Sequence, residues 1–248
     1  MLEYQVIRMT TFLGFSILVV ILLALGGIYV YAWSEPTWQV FGPALVRGPA
    51  TGGRVVLTFD DGPASPFTEQ ILDILQSRNV RATFFVCGRS VERSPEILKR
   101  IHAEGHLVGN HAYSHRFPYF RSRAFFAEEI DRTQEAIEKV IGERPAIFRP
   151  PYGARWRGLY DVLNDRGLRL VAWSDTGYDW ECETEGIVRK TLEKLGPGSI
   201  ILLHDGMMPD VAEKRDRSST VRALPAILDG VQKAGLTFVP LSEFLLES

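Results

Sequence analysis

The chain has 248 residues, with 28 Lys and Arg against 30 Asp and Glu, and a formal net charge of −2 at neutral pH. So balanced a charge offers no broad basic field for a polyanion, which excludes nucleic acid as the expected partner. Setting aside an apolar N-terminal run leaves about 210 residues, enough for one large domain with a substantial core, read here as a monomer.

Residues 12–32, FLGFSILVVILLALGGIYVYA, carry no charge over 21 positions. As a helix rising about 1.5 Å per residue they cross the roughly 30 Å hydrocarbon layer, and they are read as one transmembrane signal anchor. Tyr29, Tyr31 and Trp33 stand at its C-terminal end, where amphipathic rings suit the headgroup region. Residues 1–11 become a short cytoplasmic N-terminus. Arg8 and Glu3 flank the run there, only Glu35 lies close on the other side, and the next basic residue is Arg47. That pattern places the rest of the chain outside, as a single-pass protein of the cell membrane. The alternative is a cleaved signal peptide processed near Ala24-Leu25-Gly26, although the run exceeds the usual h-region of about 7–15 residues. Residues 33–53, rich in Pro and Gly, form a tether or an irregular first wrap, and 54–248 form the domain proper.

Within that domain the pattern alternates. Val55 to Phe59 reads as a buried strand, Phe67 to Gln76 as an amphipathic helix and Ala82 to Val86 as another strand. Helix and strand signals then repeat over Pro95 to Ala103, Leu107 to Gly109, Ala124 to Val140, Ala146 to Phe148, Gly158 to Asp165 and Leu168 to Val171. They continue with Thr184 to Leu195, Ser199 to Leu203, Thr220 to Lys233 and Thr237 to Val239. This is βα architecture with parallel strands buried on both faces.

The polar residues fall at the strand ends. Asp60 and Asp61 follow VVLTF, His111 follows HLVGN, Arg149 follows AIF and His204 follows SIILL. In a βα barrel the C-terminal strand ends share one face; an open doubly wound sheet gathers residues in one crevice, and a barrel explains the many contributing strands more simply. His111 and His115, four residues apart, can present both imidazoles together. With Asp61 they make three protein ligands and leave a position for water, the arrangement of catalytic zinc. Asp60 is then free to take a proton from that water, and His204 is available as a proton donor. Alone, DDG is commonly a turn and a lone histidine a core residue; the conjunction carries the reading. His102 and His106, in KRIHAEGH, are read as structural or exposed.

With TFDDG at 58–62, HAYSH at 111–115, RPPYG at 149–153, Asp179-Trp180 and LLH at 202–204, the chain resembles the polysaccharide deacetylases, the NodB-like chitooligosaccharide deacetylase homology domain. The resemblance runs from about Arg54 to Phe244. It implies a distorted (β/α) barrel of about seven strands and removal of acetyl groups from glycans. It also implies roles: Asp60 as base; Asp61, His111 and His115 on a divalent ion, usually zinc; Arg149 paired with Asp60; Asp179 orienting His204, the acid. Trp180 and Leu202 would wall the acetyl pocket, and the backbone N–H of Tyr152 would share the oxyanion.

Two positions depart from the family pattern. Ala112 stands where Ser or Thr commonly follows the first metal histidine, so one hydroxyl that steadies the loop is missing. Asp175 in WSDTGYDW lies one position early, and it is read as a loop residue, with the orienting role on Asp179. Cys87 and Cys182 are read as unpaired. The segment Gly206 to Ser219, with Met207, Met208 and KRDR, reads as a long solvated βα loop, open to edging the sugar groove as much as to being idle. The leading expectation is a membrane-anchored, metal-dependent enzyme removing N-acetyl groups from an N-acetylglucosamine glycan such as cell-wall peptidoglycan or chitin fragments. The alternatives are an O-acetyl sugar esterase, such as one acting on acetylated xylan, and a catalytically silent glycan-binding protein.

Overall fold

A computed structural model describes residues 2–35, 37–117, 121–208 and 216–247. The side chains of residues 2–11, 30, 33 and 34 lie outside that description, so Glu3, Arg8 and Trp33 are not placed. Lys214 and Arg215 of the KRDR loop also lie outside it.

The first helix, α1 (Leu2–Ser34), contains the apolar span Phe12–Tyr29, none of whose residues is buried against the rest of the chain. The barrel begins with β1 (Arg54–Asp60), α2 (Phe67–Ser77), β2 (Thr83–Val86), α3 (Gly88–Arg93), α4 (Pro95–Ala103) and β3 (Leu107–Asn110). It continues through α5 (Arg123–Ile141), β4 (Ile147–Phe148), a 3-10 turn (Pro151–Gly153), α6 (Arg157–Asn164), β5 (Arg169–Leu170) and β6 (Asp175–Thr176). It ends with α7 (Thr184–Glu193), β7 (Ile200–His204), α8 (Ser218–Lys233), β8 (Thr237–Phe238) and α9 (Leu241–Leu246). The sequence-based elements agree to within one or two residues. The exceptions are α3, the 3-10 turn, β6 and α9, which are too short or too polar to show a period.

Local chemistry accounts for the elements. β1 is apolar through VVLTF because it is covered on both faces. In α2 the buried Thr68, Ile71, Leu72 and Leu75 recur at helical spacing. Ser122 caps α5 by accepting from the Phe125 N–H at 3.1 Å, and Gly142, at φ 78°, ends it in the left-handed region.

All strand pairs are parallel, in the order β5-β4-β3-β2-β1-β7-β6, with β8 pairing β1 at Arg54 and Val55. Curled around an interior that includes Val56, Phe85, Ile147 and Ile200, with Leu57, Phe59, Phe84 and Leu203 packed outward against the helices, this path makes a distorted barrel. The open side, between the end strands β5 and β6, is spanned by Leu45–Gly48. Leu45 N–H donates to Leu170 O at 3.0 Å, Ala172 N–H to Leu45 O at 2.8 Å and Gly48 N–H to Gly198 O at 2.8 Å. Arg47 adds bonds to Pro197 O, Ser199 Oγ and the buried Asp175 carboxylate. Of the two open readings for residues 33–53, this stretch behaves as wrap. Asp175 is thereby occupied as a structural residue. His106 is buried, its Nδ1 accepting from the Ala82 N–H at 3.1 Å, and His102 is exposed. Cys87 and Cys182 are free thiols.

Candidate active site

Because the strands are parallel, β1, β3, β4 and β7 deliver their C-terminal ends to one face, and a cavity of about 320 Å³ opens there. Asp61 enters it from a left-handed turn, φ 77°. Glycine must follow, since a Cβ on Gly62 would lie 2.0 Å from Asp205 Oδ2. Asp61, Ala112, His115, Tyr152 and Tyr178 are five of the six non-glycine residues with positive φ among those described. Each such residue costs about 1–3 kcal/mol, so the strain is concentrated around one cavity.

Asp61, His111 and His115 offer ligand atoms within 4.8 Å of one another, all buried. Asp61 Oδ1 lies 3.4 Å from His111 Nε2 and 3.2 Å from His115 Nε2. It accepts no hydrogen bond among the described residues, an orphan acceptor that a cation between the three groups would satisfy. His111 Nδ1 lies 2.7 Å from Arg149 O. A carbonyl only accepts, so Nδ1 carries the hydrogen and Nε2 presents its lone pair to the cavity. Burial pushes His115 down to about 4 against the pull of Asp61, which keeps it neutral, the ligand form. Two nitrogens and one oxygen with an open side fit a divalent ion.

The loop carrying both histidines is braced by α5. Buried Glu129 accepts from the Ser114 N–H at 2.8 Å and from Ser114 Oγ at 2.9 Å. The Ala112 N–H donates to Asn110 Oδ1 at 2.9 Å, and Asn110 Nδ2 to Ile130 O at 3.0 Å. Sequence reasoning missed Glu129 and Asn110. Glu129 lies on the buried face of α5 with Phe126, Ile130 and Thr133.

Asp60 stands beside this cluster, its Oδ2 3.7 Å from His111 Nε2. Its Oδ1 accepts from Arg149 Nη1 at 2.7 Å. Arg149 is fully buried, and burial pushes its pKa down while Asp60 opposes the shift. Further bonds to Thr58 Oγ1 at 2.7 Å and Ala172 O at 2.8 Å, with the Phe85 ring 4.1 Å away, satisfy the guanidinium.

Across the cavity, His204 Nδ1 lies 2.7 Å from Asp179 Oδ1, while Asp179 Oδ2 accepts from the His204 N–H and from Thr220 Oγ1. Burial works against the imidazolium, but Asp179 outweighs it and His204 titrates above its ordinary value. Arg217 donates to Asp179 O and Gly206 O, fixing the strand-end loop. Trp180 meets His204 edge-on at 5.3 Å, and Leu202, Tyr152, Trp173 and Met207 complete the walls. Every site residue expected from the sequence therefore borders this cavity, or, for Arg149 and Asp179, holds a residue that does.

Comparison with known proteins agrees with the geometry. The family model for polysaccharide deacetylase matches residues 47–171. The chain belongs to the polysaccharide deacetylase family. A peptidoglycan-N-acetylglucosamine deacetylase of Bacillus cereus is 34% identical over 211 residues, covering 85% of this chain and 74% of the relative. A chitooligosaccharide deacetylase of Azorhizobium caulinodans is 36% identical over 193 residues, covering 75% of this chain and 92% of the relative. The crystal structure of the Bc1960 peptidoglycan N-acetylglucosamine deacetylase, bound to a hydroxamate-type benzamide, superposes with a TM-score of 0.74 at 34% identity. It covers 80% of this chain and 91% of that one.

Proposed function

We propose that this polysaccharide deacetylase is a metal-dependent hydrolase that removes N-acetyl groups from an N-acetylglucosamine-containing glycan of the cell envelope, releasing acetate and a free amine. The observation that carries the reading is the convergence in one cavity of an orphaned Asp–His–His cluster, a base paired with Arg149 and an acid paired with Asp179. A binding protein needs no such matched base and acid.

Asp61, His111 and His115 would hold the ion, with zinc suited to two imidazoles and a carboxylate. When bound, it supplies Lewis acidity and a water of lowered pKa. Asp60, aimed by Arg149, takes the proton of the attacking water. The backbone N–H of Tyr152 is assigned to the developing oxyanion. An amide nitrogen leaves poorly unless protonated, and His204, kept charged by Asp179, donates that proton. Trp180 and Leu202 flank the acetyl methyl.

The apolar span Phe12–Tyr29 supports a single membrane anchor; the outer side is assigned to the barrel from the flanking charges, Arg8 before the span and no Lys or Arg after it until Arg47. Acetate release by the full-length protein with added zinc, measured on peptidoglycan, chitooligosaccharide and acetylated xylan, tests the reading. Release from the N-acetyl polymers is expected. Release from xylan alone would establish the ester chemistry instead.

A further inference from the structure

The passage from α1 to the barrel is folded back on itself. Thr37 N and Oγ1 donate to Glu35 Oε1 at 3.2 and 2.9 Å, and the Trp38 N–H donates to Glu35 O at 3.1 Å, which closes a reversing turn. Beyond the turn, Trp38 packs edge-on against Tyr31 at 4.9 Å and Phe41 against Tyr29 at 5.6 Å. Phe41 therefore stands level with Tyr29, the last residue of the apolar span.

The same Phe41 packs on the barrel's second core cluster, which includes Leu159, Tyr160 and Leu170. Tyr160 Oη donates to Gly42 O at 3.0 Å, so the returning segment is fixed to α6. A second clamp lies at the helix end. Ala32 is 4% exposed, and the buried Arg155 guanidinium donates to Glu35 O. Arg155 lies two residues beyond the Pro151–Gly153 turn, whose Tyr152 and Gly153 line the cavity. A free tether of about ten residues would let the domain stand off by roughly 17 Å. These contacts remove that freedom.

Trp38 and Val40 remain 41% and 67% exposed beside the end of the span. An indole with an apolar neighbour at that level suits the headgroup layer. We propose that the catalytic domain is docked on the C-terminal end of its anchor, with Trp38 and Val40 in the headgroup layer, so that the cavity serves N-acetylated glycan presented at the bilayer surface on a lipid carrier. The proposal rests on the membrane-anchored deacetylase reading above.

The test uses the full-length protein in vesicles containing lipids brominated high in the acyl chain. A fluorophore on Val40→Cys, in a Cys182→Ser background, should be quenched. Inserting a Gly-Ser segment of about 20 residues after Glu35, together with Tyr29→Ala and Tyr31→Ala to remove the ring contacts on the anchor, should abolish the quenching. The insertion should also lower the rate on a lipid-linked N-acetylglucosamine oligosaccharide severalfold, leaving the rate on the same oligosaccharide free in solution unchanged. An unquenched label before insertion, or an insertion that leaves the ratio of the two rates unchanged, overturns the docking. If neither glycan is deacetylated, the proposed function fails, while the quenching still reports on the docking by itself.

Discussion

The two halves of the cavity are built on opposite plans. On the β1–β3 side, Asp61 Oδ1 and His115 Nδ1 are buried and lack hydrogen-bond partners among the described residues. On the β7 side, both Asp179 oxygens are occupied, by His204 and Thr220. The first half is incomplete by itself and gains most from a bound ion; the second is complete as folded. Metal removal should therefore loosen one side and leave the other standing.

The largest expected effect comes from the incomplete half. His111→Ala removes a ligand whose tautomer is already fixed by Arg149 O, and bound zinc and activity should vanish together. Metal analysis of the purified variant checks this; full occupancy would mean that the ion sits elsewhere. Because ligation adds binding free energy to the native state alone, the variant and the chelated wild type should both melt below the zinc-loaded protein.

Asp60→Asn probes the boundary between the halves. The amide keeps the shape but cannot take the proton, so metal should stay while the rate falls by on the order of 10² or more. Near-normal turnover would assign the base to another group. Arg149 is a poorer probe, because truncating one partner of a buried pair costs about 3–5 kcal/mol of stability by itself and confounds the rate.

Glu129→Gln should come next. It touches no ligand, yet it holds Ser114 between the two histidines, and loss of such support typically weakens metal binding about 10–100-fold. Competition with a zinc chelator measures this, and kcat at saturating zinc should survive. Unchanged affinity would show that the Asn110 contacts suffice to brace the loop.

What could be seen in advance follows the same division. Buried parallel strands such as VVLTF and SIILL announce themselves as apolar runs, and chemistry-bearing side chains at their ends stand out against them. Asp60, Asp61, His111 and His204 were legible for that reason. Glu129 was not, because an acid within a helix looks like any solvated surface charge until its partner is known. Leu45–Gly48 was hidden too: it seals the sheet through backbone bonds, which leave no periodicity in side chains. The two-residue β6 is likewise defined by its pairing with β7 rather than by its composition.

The smallest effect, and the sharpest probe of the complete half, is a shift in pH dependence. His204 must be protonated to act as an acid, and Asp179 raises its pKa against the opposing effect of burial. Activity on the alkaline side is then lost only as pH rises through that elevated value. Asp179→Asn removes the largest influence opposing burial, so the His204 pKa falls and the protonated fraction declines at lower pH. The alkaline limb of kcat/KM, measured on a soluble N-acetylglucosamine oligomer, should move toward acid with zinc content unchanged. At pH values below both pKa values the charge contribution to the difference disappears, and the two enzymes should differ least. An alkaline limb that stays in place would mean that the titrating acid is not His204, and the proton for the departing amine would have to come from elsewhere in the cavity.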